Sequence, residues 1–476
     1  MPTLWLPASR FQRTLVVLVV AQLVAYLTLA LASAIGADRG IAGTATRAWT
    51  PLPQNGLMEP LPSQPTARWR SDTHQLFGAQ SNPWYLGVLA AHTDLLVVSA
   101  VEQRTFKGPI VGVDPADGTL RWSAPPDLRV NHCALNRSGR LACLDYDSYD
   151  QNGYHRIVFL DPATGQVQST TDVAAPGWPE IQAAGAGFLI TSSSYPHEGE
   201  RDLTLTWYAE DGSRSWTHTP PPNVDHVDLS ESSELVSVQD DKRGAQVLDM
   251  ATGAVRYDAA EDQRAAGKDV SLGIVVNAAG FAVSFRGYGD DANRTVFYNR
   301  TGHRTGEMSG WTTLYLDPAT EDTRLALANE KEHDLAFVSL ADRTILWRKH
   351  DYQYDAFSKA RAFPPYLLIC EDFCDGTPQM VAQADTGAEV GRFTTTVHQD
   401  VRSFDGERFI VSGEPEGYSG TEPAVSAIDA HTCTQVWRVK YYENPDDMNV
   451  KVIPPFLFRL DAYRPGSPAA LSLLAS

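Results

Sequence analysis

An acidic stretch at Asp145, Asp147, Asp150 and Asn152, followed by Gly153, carries oxygen ligands at near-alternate positions. Carboxylate and amide oxygens are the ligands that calcium prefers in proteins, so one interpretation of this stretch is a calcium-binding loop. The stretch lacks the terminal glutamate and the regular spacing of an established calcium loop. The alternative is a solvated hairpin loop between two strands. We favour the hairpin and assign no metal ligand, although the sequence leaves calcium binding open.

The five cysteines form two candidate pairs and one single residue. Cys133 and Cys143 flank the hairpin-turn sequence N-R-S-G, which would set them opposite each other on paired strands. Cross-strand neighbours have Cβ atoms ~4.5–5.5 Å apart, near disulfide geometry. We expect a disulfide there, with two buried thiols as the alternative. Cys370 and Cys374 are a second candidate pair, while Cys433 is left over, and this spacing is poor evidence for zinc.

Catalytic sequence motifs are not found in this chain. The 12 histidines are scattered, without an H-E-x-x-H pair, and neither G-x-S-x-G nor a glycine-rich phosphate loop occurs. We therefore assign no catalytic residue and no cofactor-binding residue. We also identify no small-molecule substrate.

A phrase of strand, tight turn and strand recurs eight times between residues 111 and 440. Its best copies read V-G-V-D-P-A-D-G-T-L-R-W at 111–122 and A-I-D-A-H-T-C-T-Q-V-W at 427–437. Each copy has Asp or Thr before the turn position, and successive turn positions are 41 to 49 residues apart. Such a period with β-turn punctuation is typical of propellers and similar arrays. The turn positions are 118, 165, 212, 253, 302, 343, 387 and 433.

Two kinds of residue in the phrase have a structural role. Glycine at the turn supplies left-handed backbone, and an aromatic ring four residues later can pack between adjacent sheets. The predicted structural residues are Gly118, Trp122, Gly165, Gly212, Trp216, Gly253, Trp347 and Trp437. An apolar run upstream of every turn adds a further strand signal, and two turns in about 45 residues fit a four-stranded blade.

The sequence therefore predicts an all-β fold, an eight-bladed β-propeller of four-stranded blades over residues 66–440. Residues 66–69 resemble the end of a repeat and could supply a closing strand, in a blade that the sequence does not identify. Residues 441–476 are predicted to be a C-terminal tail that is disordered or loosely docked, although it contains an apolar patch at 453–458.

The phrase resembles the tryptophan-docking repeat A-x-D-x-x-T-G-x-x-x-W of the quinoprotein (PQQ) alcohol-dehydrogenase-like superfamily. The resemblance covers residues 85–440, and the copies at 297–304 and 381–390 lack the aromatic residue. It implies the propeller fold. The superfamily contains quinone-dependent dehydrogenases and also cofactor-free propellers, such as the scaffold lipoprotein of the outer-membrane barrel-assembly machine.

The resemblance favours the non-catalytic branch of this superfamily. Its dehydrogenases typically bind calcium through a Glu/Asn/Asp set and use a catalytic aspartate, and many stack the cofactor on a disulfide between adjacent cysteines. No two cysteines are adjacent here, and we find no positions that match the cofactor-binding set. The resemblance therefore implies no cofactor for this chain.

The N-terminal region contains 21 residues without charge, at 15–35, preceded by two arginines. About 20 apolar residues span a ~30 Å hydrocarbon core, and flanking arginines favour the cytoplasmic side. We interpret residues 15–35 as a transmembrane signal anchor after a short cytoplasmic segment, 1–14, and before a proline-rich tether, 36–65. The alternative is a secretory signal cleaved near Ala32–Ala34. Both interpretations put the propeller on the extracytoplasmic side, periplasmic or extracellular.

The formal net charge of −19 restricts the possible partners. A strongly acidic domain is repelled by nucleic acid and by anionic membrane surfaces. We therefore predict no nucleic-acid partner and expect membrane contact only through the N-terminal helix.

Three segments, at 145–153, 194–198 and 287–291, occupy the same place in their repeats and together are rich in Tyr and Asp. Loops on one face of a rigid scaffold often carry binding. The expected function is a membrane-anchored, non-catalytic scaffold that binds a protein partner or an envelope polymer. The alternative is an enzyme, either a quinone-dependent dehydrogenase or a hydrolase, with its site in the central channel.

Overall fold

Nine β-sheets follow one another as the blades of a propeller in this computed structural model. The first strands of neighbouring blades contact one another, so the first strand of each blade lies innermost and the fourth lies at the rim. The structure describes residues 57–78, 83, 85–101, 108–128, 130–146, 154–174, 178–194, 202–221, 224, 226–240, 244–260, 262, 270–287, 293–316, 323–350, 359–370, 378–395, 399–413, 424–440, 448–461 and 467–476.

The described chain begins with a bridge between Leu57 and Phe404 and continues into one strand and one short helix, β1 (Thr66–Asp72) and α1 (Thr73–Phe77). The helix starts at Asp72, whose carboxylate accepts the Gln75 backbone N–H at 2.9 Å while the Gln75 side chain accepts the Asp72 N–H. This reciprocal pair is a capping box, which satisfies two donors that the helix start would otherwise leave unpaired.

Blades 1 to 4 are uninterrupted four-stranded meanders. Their strands in chain order are β2 (Tyr85–His92), β3 (Leu95–Val101), β4 (Ile110–Val113), β5 (Leu120–Ser123), β6 (Val130–Leu135), β7 (Leu141–Tyr146), β8 (Tyr154–Leu160), β9 (Val167–Ala174), β10 (Trp178–Ala184), β11 (Gly187–Ser194), β12 (Asp202–Tyr208), β13 (Arg214–His218), β14 (His226–Ser230), β15 (Leu235–Asp240), β16 (Gly244–Asp249) and β17 (Val255–Asp258).

Blades 5 to 8 repeat this plan, with one extra short strand that pairs in parallel with the first strand of blade 7. Their strands are β18 (Ser271–Asn277), β19 (Gly280–Arg286), β20 (Arg294–Asn299), β21 (Arg304–Ser309), β22 (Thr312–Thr313), the extra strand β23 (Tyr315–Leu316), β24 (Arg324–Asn329), β25 (Asp334–Ser339), β26 (Ile345–Lys349), β27 (Lys359–Phe363), β28 (Tyr366–Cys370), β29 (Pro378–Gln383), β30 (Glu389–Thr394), β31 (Gln399–Phe404), β32 (Arg408–Gly413), β33 (Ala424–Asp429) and β34 (Gln435–Lys440).

The ninth blade joins the two ends of the described chain. Its inner strands are β35 (Met448–Ile453), β36 (Phe456–Asp461) and β37 (Ala470–Ala475), and β1 is its outermost strand, antiparallel to β37. A cluster of buried side chains, including Phe458 of β36 and Leu86 of β2, then packs blade 9 against blade 1. The ring is therefore closed by a strand from the N-terminal side of the chain.

The prediction of eight blades is wrong, because the structure contains nine. The recurring phrase spans the third strand, the turn and the fourth strand of a blade. Blade 9 has no such turn, since its third and fourth strands come from opposite ends of the chain. Residues 441–476 were predicted as a tail, but 448–453, 456–461 and 470–475 are three strands of the propeller, and residues 66–69 belong to the closing strand.

Residues 57–65, predicted as part of an extended tether, are held against blades 8 and 9. The Met58 N–H donates to the Phe404 carbonyl at 3.0 Å, and the Leu61 N–H donates to Asp405 Oδ2 at 2.9 Å. Leu61 is only 2% exposed. Residues 1–14, 15–35 and 36–56 lie outside the described residues. Within the part of the chain that the structure describes, no helix has the length and apolar character needed to cross a bilayer.

Tryptophan docking joins successive blades. In each case a fourth-strand Trp donates its indole N–H to the carbonyl three residues before the turn glycine of the next blade. The donor and acceptor pairs are Trp69 with Pro115 at 2.9 Å, Trp122 with Pro162 at 2.8 Å, Trp216 with Met250 at 2.8 Å and Trp347 with Ala384 at 2.9 Å.

The same rings cover the turn glycines. A Cβ atom placed on Gly118, Gly165, Gly253 or Gly387 would lie 2.4 to 2.6 Å from an indole atom of the docked Trp. All four glycines also have positive φ, between 67° and 76°. Glycine is therefore required at these positions for two reasons. It permits the positive φ, and it leaves room for the close approach of the ring.

Trp437 of blade 8 has no turn glycine to meet, because blade 9 lacks the turn. Its indole N–H donates instead to the Leu61 carbonyl at 2.8 Å. The Ser476 hydroxyl also donates to the Ser63 carbonyl at 3.1 Å. Residues 57–65 therefore occupy the place of the missing turn, and the same kind of docking holds the closing strand.

Two junctions exchange the large and small residues of the docking pair. In blade 5 the Trp position is Gly306, and the turn residue it meets is Arg343, whose Cδ would lie 2.7 Å from a Cβ on Gly306. In blade 7 it is Gly391, which meets Cys433 with the Sγ atom 2.9 Å from such a Cβ. Arg343 and Cys433 adopt φ of 62° and 55° although neither is glycine. The two departures from the sequence repeat thus compensate each other across a junction.

We predict that Trp122→Ala and Trp437→Ala each lower the melting temperature markedly. Removing a large buried aromatic ring costs ~3–5 kcal/mol, and each ring also contributes a hydrogen bond to the next blade. Thermal unfolding of the purified variants measures this. Leu120→Ala, in the same strand as Trp122 but with a side chain that is 44% exposed, is the control and should melt near the wild-type temperature. Equal melting of all three variants would refute a docking role.

We also predict energetic coupling between positions 391 and 433. Gly391→Trp should destabilise the wild-type protein by ~1–3 kcal/mol through overpacking against Cys433. In a Cys433→Gly background the introduced ring gains space, so the cost should fall by ~1 kcal/mol or more in a double-mutant cycle measured by denaturant unfolding. Gly306→Trp in the same background is the control and should keep its full cost. Strict additivity at 391 and 433 would contradict the exchange.

Candidate binding face

The two faces of the ring carry different connections. First and second strands, and third and fourth strands, are joined on one face, whereas the second-to-third and fourth-to-first connections leave the other face. We call this second face the loop face. The predicted Tyr- and Asp-rich segments connect β7 to β8, β11 to β12 and β19 to β20, which are second and third strands in each case. The topology therefore assigns all three segments to the loop face.

Most residues of those three segments lie outside the described part of the chain: 147–153, 195–198 and 288–291. Asp145 is described. Its side chain is almost fully buried and forms an ion pair with Arg156, its cross-strand partner on β8. This carboxylate is thus engaged by a guanidinium within the sheet.

A buried carboxylate network lies at the loop face of blade 6, around Asp334, which is 0% exposed. His350 Nδ1 lies 2.7 Å from Asp334 Oδ1, and Arg348 donates to Oδ2 through Nε at 2.7 Å and through a second guanidinium nitrogen. Burial opposes ionisation of Asp334, but the hydrogen bonds from Arg348 and His350 outweigh it and hold the pKa below its ordinary value. Asp334 is therefore ionised at neutral pH.

Further charged contacts lie beside this network. Arg348 also pairs with Glu332, at 2.5 Å, and its guanidinium carbon lies 5.4 Å from the ring centre of Trp311. From blade 5, Arg286 approaches Glu330 to 3.6 Å. The sequence analysis missed this cluster. Its signal is the acidic turn E-K-E-H-D at 330–334, followed by R-K-H at 348–350.

The inner strands give the central channel a mixed lining. Loss of solvation lowers the pKa of His132 of blade 2, and the negative charge of Glu180 on blade 3 partly opposes this effect. Later in the chain, Arg361 of blade 7 forms an ion pair with Asp400 of blade 8 at 2.7 Å. Among the residues that the structure describes, no three His, Cys, Asp or Glu side chains are grouped to hold a metal ion.

The cysteines occupy three different settings. Cys133 and Cys143 are cross-strand partners on β6 and β7, with Cα atoms 4.1 Å apart, and are joined by a disulfide. Cys370 at the end of β28 is also disulfide-bonded, whereas Cys374 lies outside the described residues. Cys433 is a free thiol, and burial is the main cause that raises its pKa. That thiol packs at a blade junction and is not activated.

Solved propeller structures are similar to this chain. BamB from Moraxella catarrhalis is 11% identical with a TM-score of 0.44, over 87% of this chain and 98% of that one. The computationally designed Ika8 protein is 12% identical with a TM-score of 0.43, over 86% and 100%. Quinohemoprotein alcohol dehydrogenase ADHIIG from Pseudomonas putida HK5 is 12% identical with a TM-score of 0.42, over 90% and 78%.

These matches include both kinds of protein to which the repeat is compared above, a BamB and a quinohemoprotein dehydrogenase. No protein-family model and no curated protein sequence matches the chain. At these identities and TM-scores, the similarities carry no conclusion about function.

We predict that Asp334→Asn destabilises the protein in a pH-dependent way. The folded state lowers the pKa of Asp334, so its stabilisation is fully present above the unfolded-state pKa and is lost as pH falls through the folded value. The difference in melting temperature between wild type and variant should therefore be largest near neutral pH. It should shrink progressively as the pH falls below about 4. Asp385→Asn, which removes an exposed ion pair with Arg324, is the control and should have a small effect at every pH. A pH-independent difference for Asp334→Asn would contradict the network.

Proposed function

We propose that this protein is a non-catalytic scaffold on the extracytoplasmic side of a membrane, which captures a protein partner with its loop face. The observation that carries the proposal is the asymmetry of connection length. Second-to-third strand connections contain seven or more residues in seven of the nine blades, whereas five first-to-second connections contain two residues. A rigid ring that sends its long connections to one side presents them together to a partner.

The proposed location rests on cysteine chemistry and on the N-terminal sequence. Disulfides such as Cys133–Cys143 persist in oxidising compartments outside the cytoplasm. The uncharged residues 15–35, preceded by arginines, would attach the protein to the membrane with the propeller outside. Residues 36–56 would then connect this anchor to residues 57–65, which are docked on the ring.

Partner capture tests the scaffold proposal. Photo-crosslinking in native membranes, with the crosslinker placed at successive positions of the loop face, should give one discrete protein adduct. We expect Tyr195→Ala to weaken that adduct several-fold while the melting temperature stays near wild type. Glu210→Ala, in a turn on the opposite face, is the matched control and should leave the adduct unchanged.

Three outcomes would contradict the proposal. The first is an equal loss of the adduct in both variants, and the second is an adduct that disappears when envelope polymer is digested, which would make the polymer the ligand. The third is enzymatic turnover. Adding PQQ, calcium and an artificial dye acceptor to the purified full chain should give no alcohol-dependent reduction of the dye.

A further inference from the structure

Three cationic side chains stand at one position of the channel wall in consecutive blades. The first strand of each blade is innermost, so a side chain exposed on it faces the central channel. Two residues before the end of this strand, blades 7, 8 and 9 carry Arg361, Arg402 and Lys451. We call these three residues the cationic arc. It lies near the face on which first and second strands are joined, opposite the loop face.

The same position carries no cation in the other blades whose first strand has five or more residues. Blade 4 has Asp228 there, and blades 1, 2, 3 and 5 have uncharged residues: Ala90, Cys133, Gln182 and Val275. Sheets stack ~10 Å apart, so nine first strands form a ring on the order of 25 Å across. Asp228 stands across this ring from the arc, beyond the ~8 Å over which salt screens charges. The chain, with a net charge of −19, thus groups cations on one side of its channel.

A β-bulge directs Arg402 into the channel. The register between β31 and β32 shifts between Val401 and Ser403, so Arg402 has no cross-strand partner. Val401 and Ser403 are each 1% exposed, whereas Arg402 is exposed. Bulges interrupt the alternation of a strand and re-aim a side chain. Here the bulge keeps both neighbours inside the blade and leaves the arginine to the channel.

The three cations differ in how far the protein balances their charge. Arg361 pairs with Asp400 at 2.7 Å and also donates to the Val401 carbonyl, so it is held across the junction of blades 7 and 8. Lys451 is exposed, as Arg402 is. Neither of these two has an acidic partner among the residues that the structure describes. Two cations of adjacent blades are therefore available to an external anion, beside a third that is already paired.

The spacing of the arc selects the shape of that anion. With adjacent blades ~10 Å apart, three blades span about 20 Å, which exceeds the reach of a compact anion. In an extended peptide, alternate side chains lie ~7 Å apart on one side, so about seven residues cover this distance. A guanidinium binds a carboxylate through two parallel N–H groups, and an ammonium group acts as a point charge.

We propose that the cationic arc binds an extended acidic peptide, a segment of a partner protein with Asp or Glu at alternate positions. A short acidic segment stays within the field of the arc, whereas a nucleic-acid strand would extend over the acidic remainder of the protein. The site lies near the face opposite the loop face. It is therefore a second surface, independent of the partner capture proposed above.

Two labelled peptides test the charge requirement. One alternates Glu with Ser over about seven residues, and the other has Gln in place of Glu. Fluorescence anisotropy with the full chain at low ionic strength should show binding of the Glu peptide, weaker by about tenfold or more for the Gln peptide. The affinity for the Glu peptide should also fall as salt is added. Failure of the Glu peptide to bind, or equal affinity for both peptides, would overturn the proposal.

A compact anion tests the extended shape. Malonate, which carries two carboxylates on one carbon, should displace the Glu peptide only at a concentration far above the dissociation constant of the peptide. Displacement at a similar concentration would assign a compact-anion site and would overturn the peptide as the ligand.

Two substitutions assign the binding to the arc. Arg402→Gln and Lys451→Gln should each weaken binding of the Glu peptide about two- to fivefold, the contribution of an exposed ion pair. Arg402→Lys keeps the charge and should retain most of the affinity. Arg121→Gln, which breaks a 2.6 Å ion pair with Asp114 on blade 1, is the control and should leave the affinity unchanged.

Wild-type affinity in both arc variants would place the binding elsewhere and contradict the proposal. An equal loss in the Arg121→Gln control would do the same, since it would show a response to overall charge. The melting temperatures of the arc variants should stay near wild type, because both side chains are exposed. Each variant tests the arc separately, so a failure of one to fold leaves the other decisive.

Discussion

The contact on which this ring depends is the docking of a fourth-strand side chain onto the turn of the next blade. Each docked tryptophan combines two effects at one point, a buried ring and an indole hydrogen bond to a carbonyl. On the turns of Gly118, Gly165, Gly253 and Gly387 the ring fits only because the turn residue beneath it has no Cβ. This arrangement links neighbouring sheets, which form separate ladders of paired strands in the structure. The junctions are therefore a main source of the stability of the ring.

Ring closure applies the same contact to the two ends of the chain. Trp69 on the closing strand docks onto the turn of blade 1, and Trp437 docks onto the backbone at Leu61. The N-terminal side of the chain thus provides both the outer strand of blade 9 and the acceptor for blade 8. Removal of residues 57–72 would take away this acceptor and this strand together, so the segment is part of the propeller.

The sequence was sufficient for the blade type but not for the blade count. Strands, turns and docking residues could be predicted because Gly118 and Trp122 have local, repeated signatures. The ninth blade could not, because its repeat is divided between residues 66–72 and 448–475 and lacks the turn that carries the signature. The sequence also could not explain why Cys433 stands at a turn position where other copies have glycine. The explanation is its contact with Gly391, which lies in another blade.

The Asp334 network was hidden for a similar physical reason. The Asp334 carboxylate contacts Arg348 and His350, which lie 14 and 16 positions away in the sequence. Spacing in the sequence does not reveal such groupings, because they depend on how sheets twist and stack. What the sequence did indicate was the place of the long Tyr- and Asp-rich connections, since these follow from strand order alone.

Hydrogen exchange followed by mass spectrometry tests the central claim most directly, that the two ends of the chain close a nine-bladed ring through docked blades. The account predicts that amides of residues 66–72, 448–461 and 470–475 exchange slowly and at similar rates, as protected as the strands of blade 1. It also predicts that Trp437→Ala accelerates exchange in residues 57–72 before other blades open. Rapid exchange across 448–475 in the wild-type protein, as expected of a loose tail on an eight-bladed ring, would contradict it.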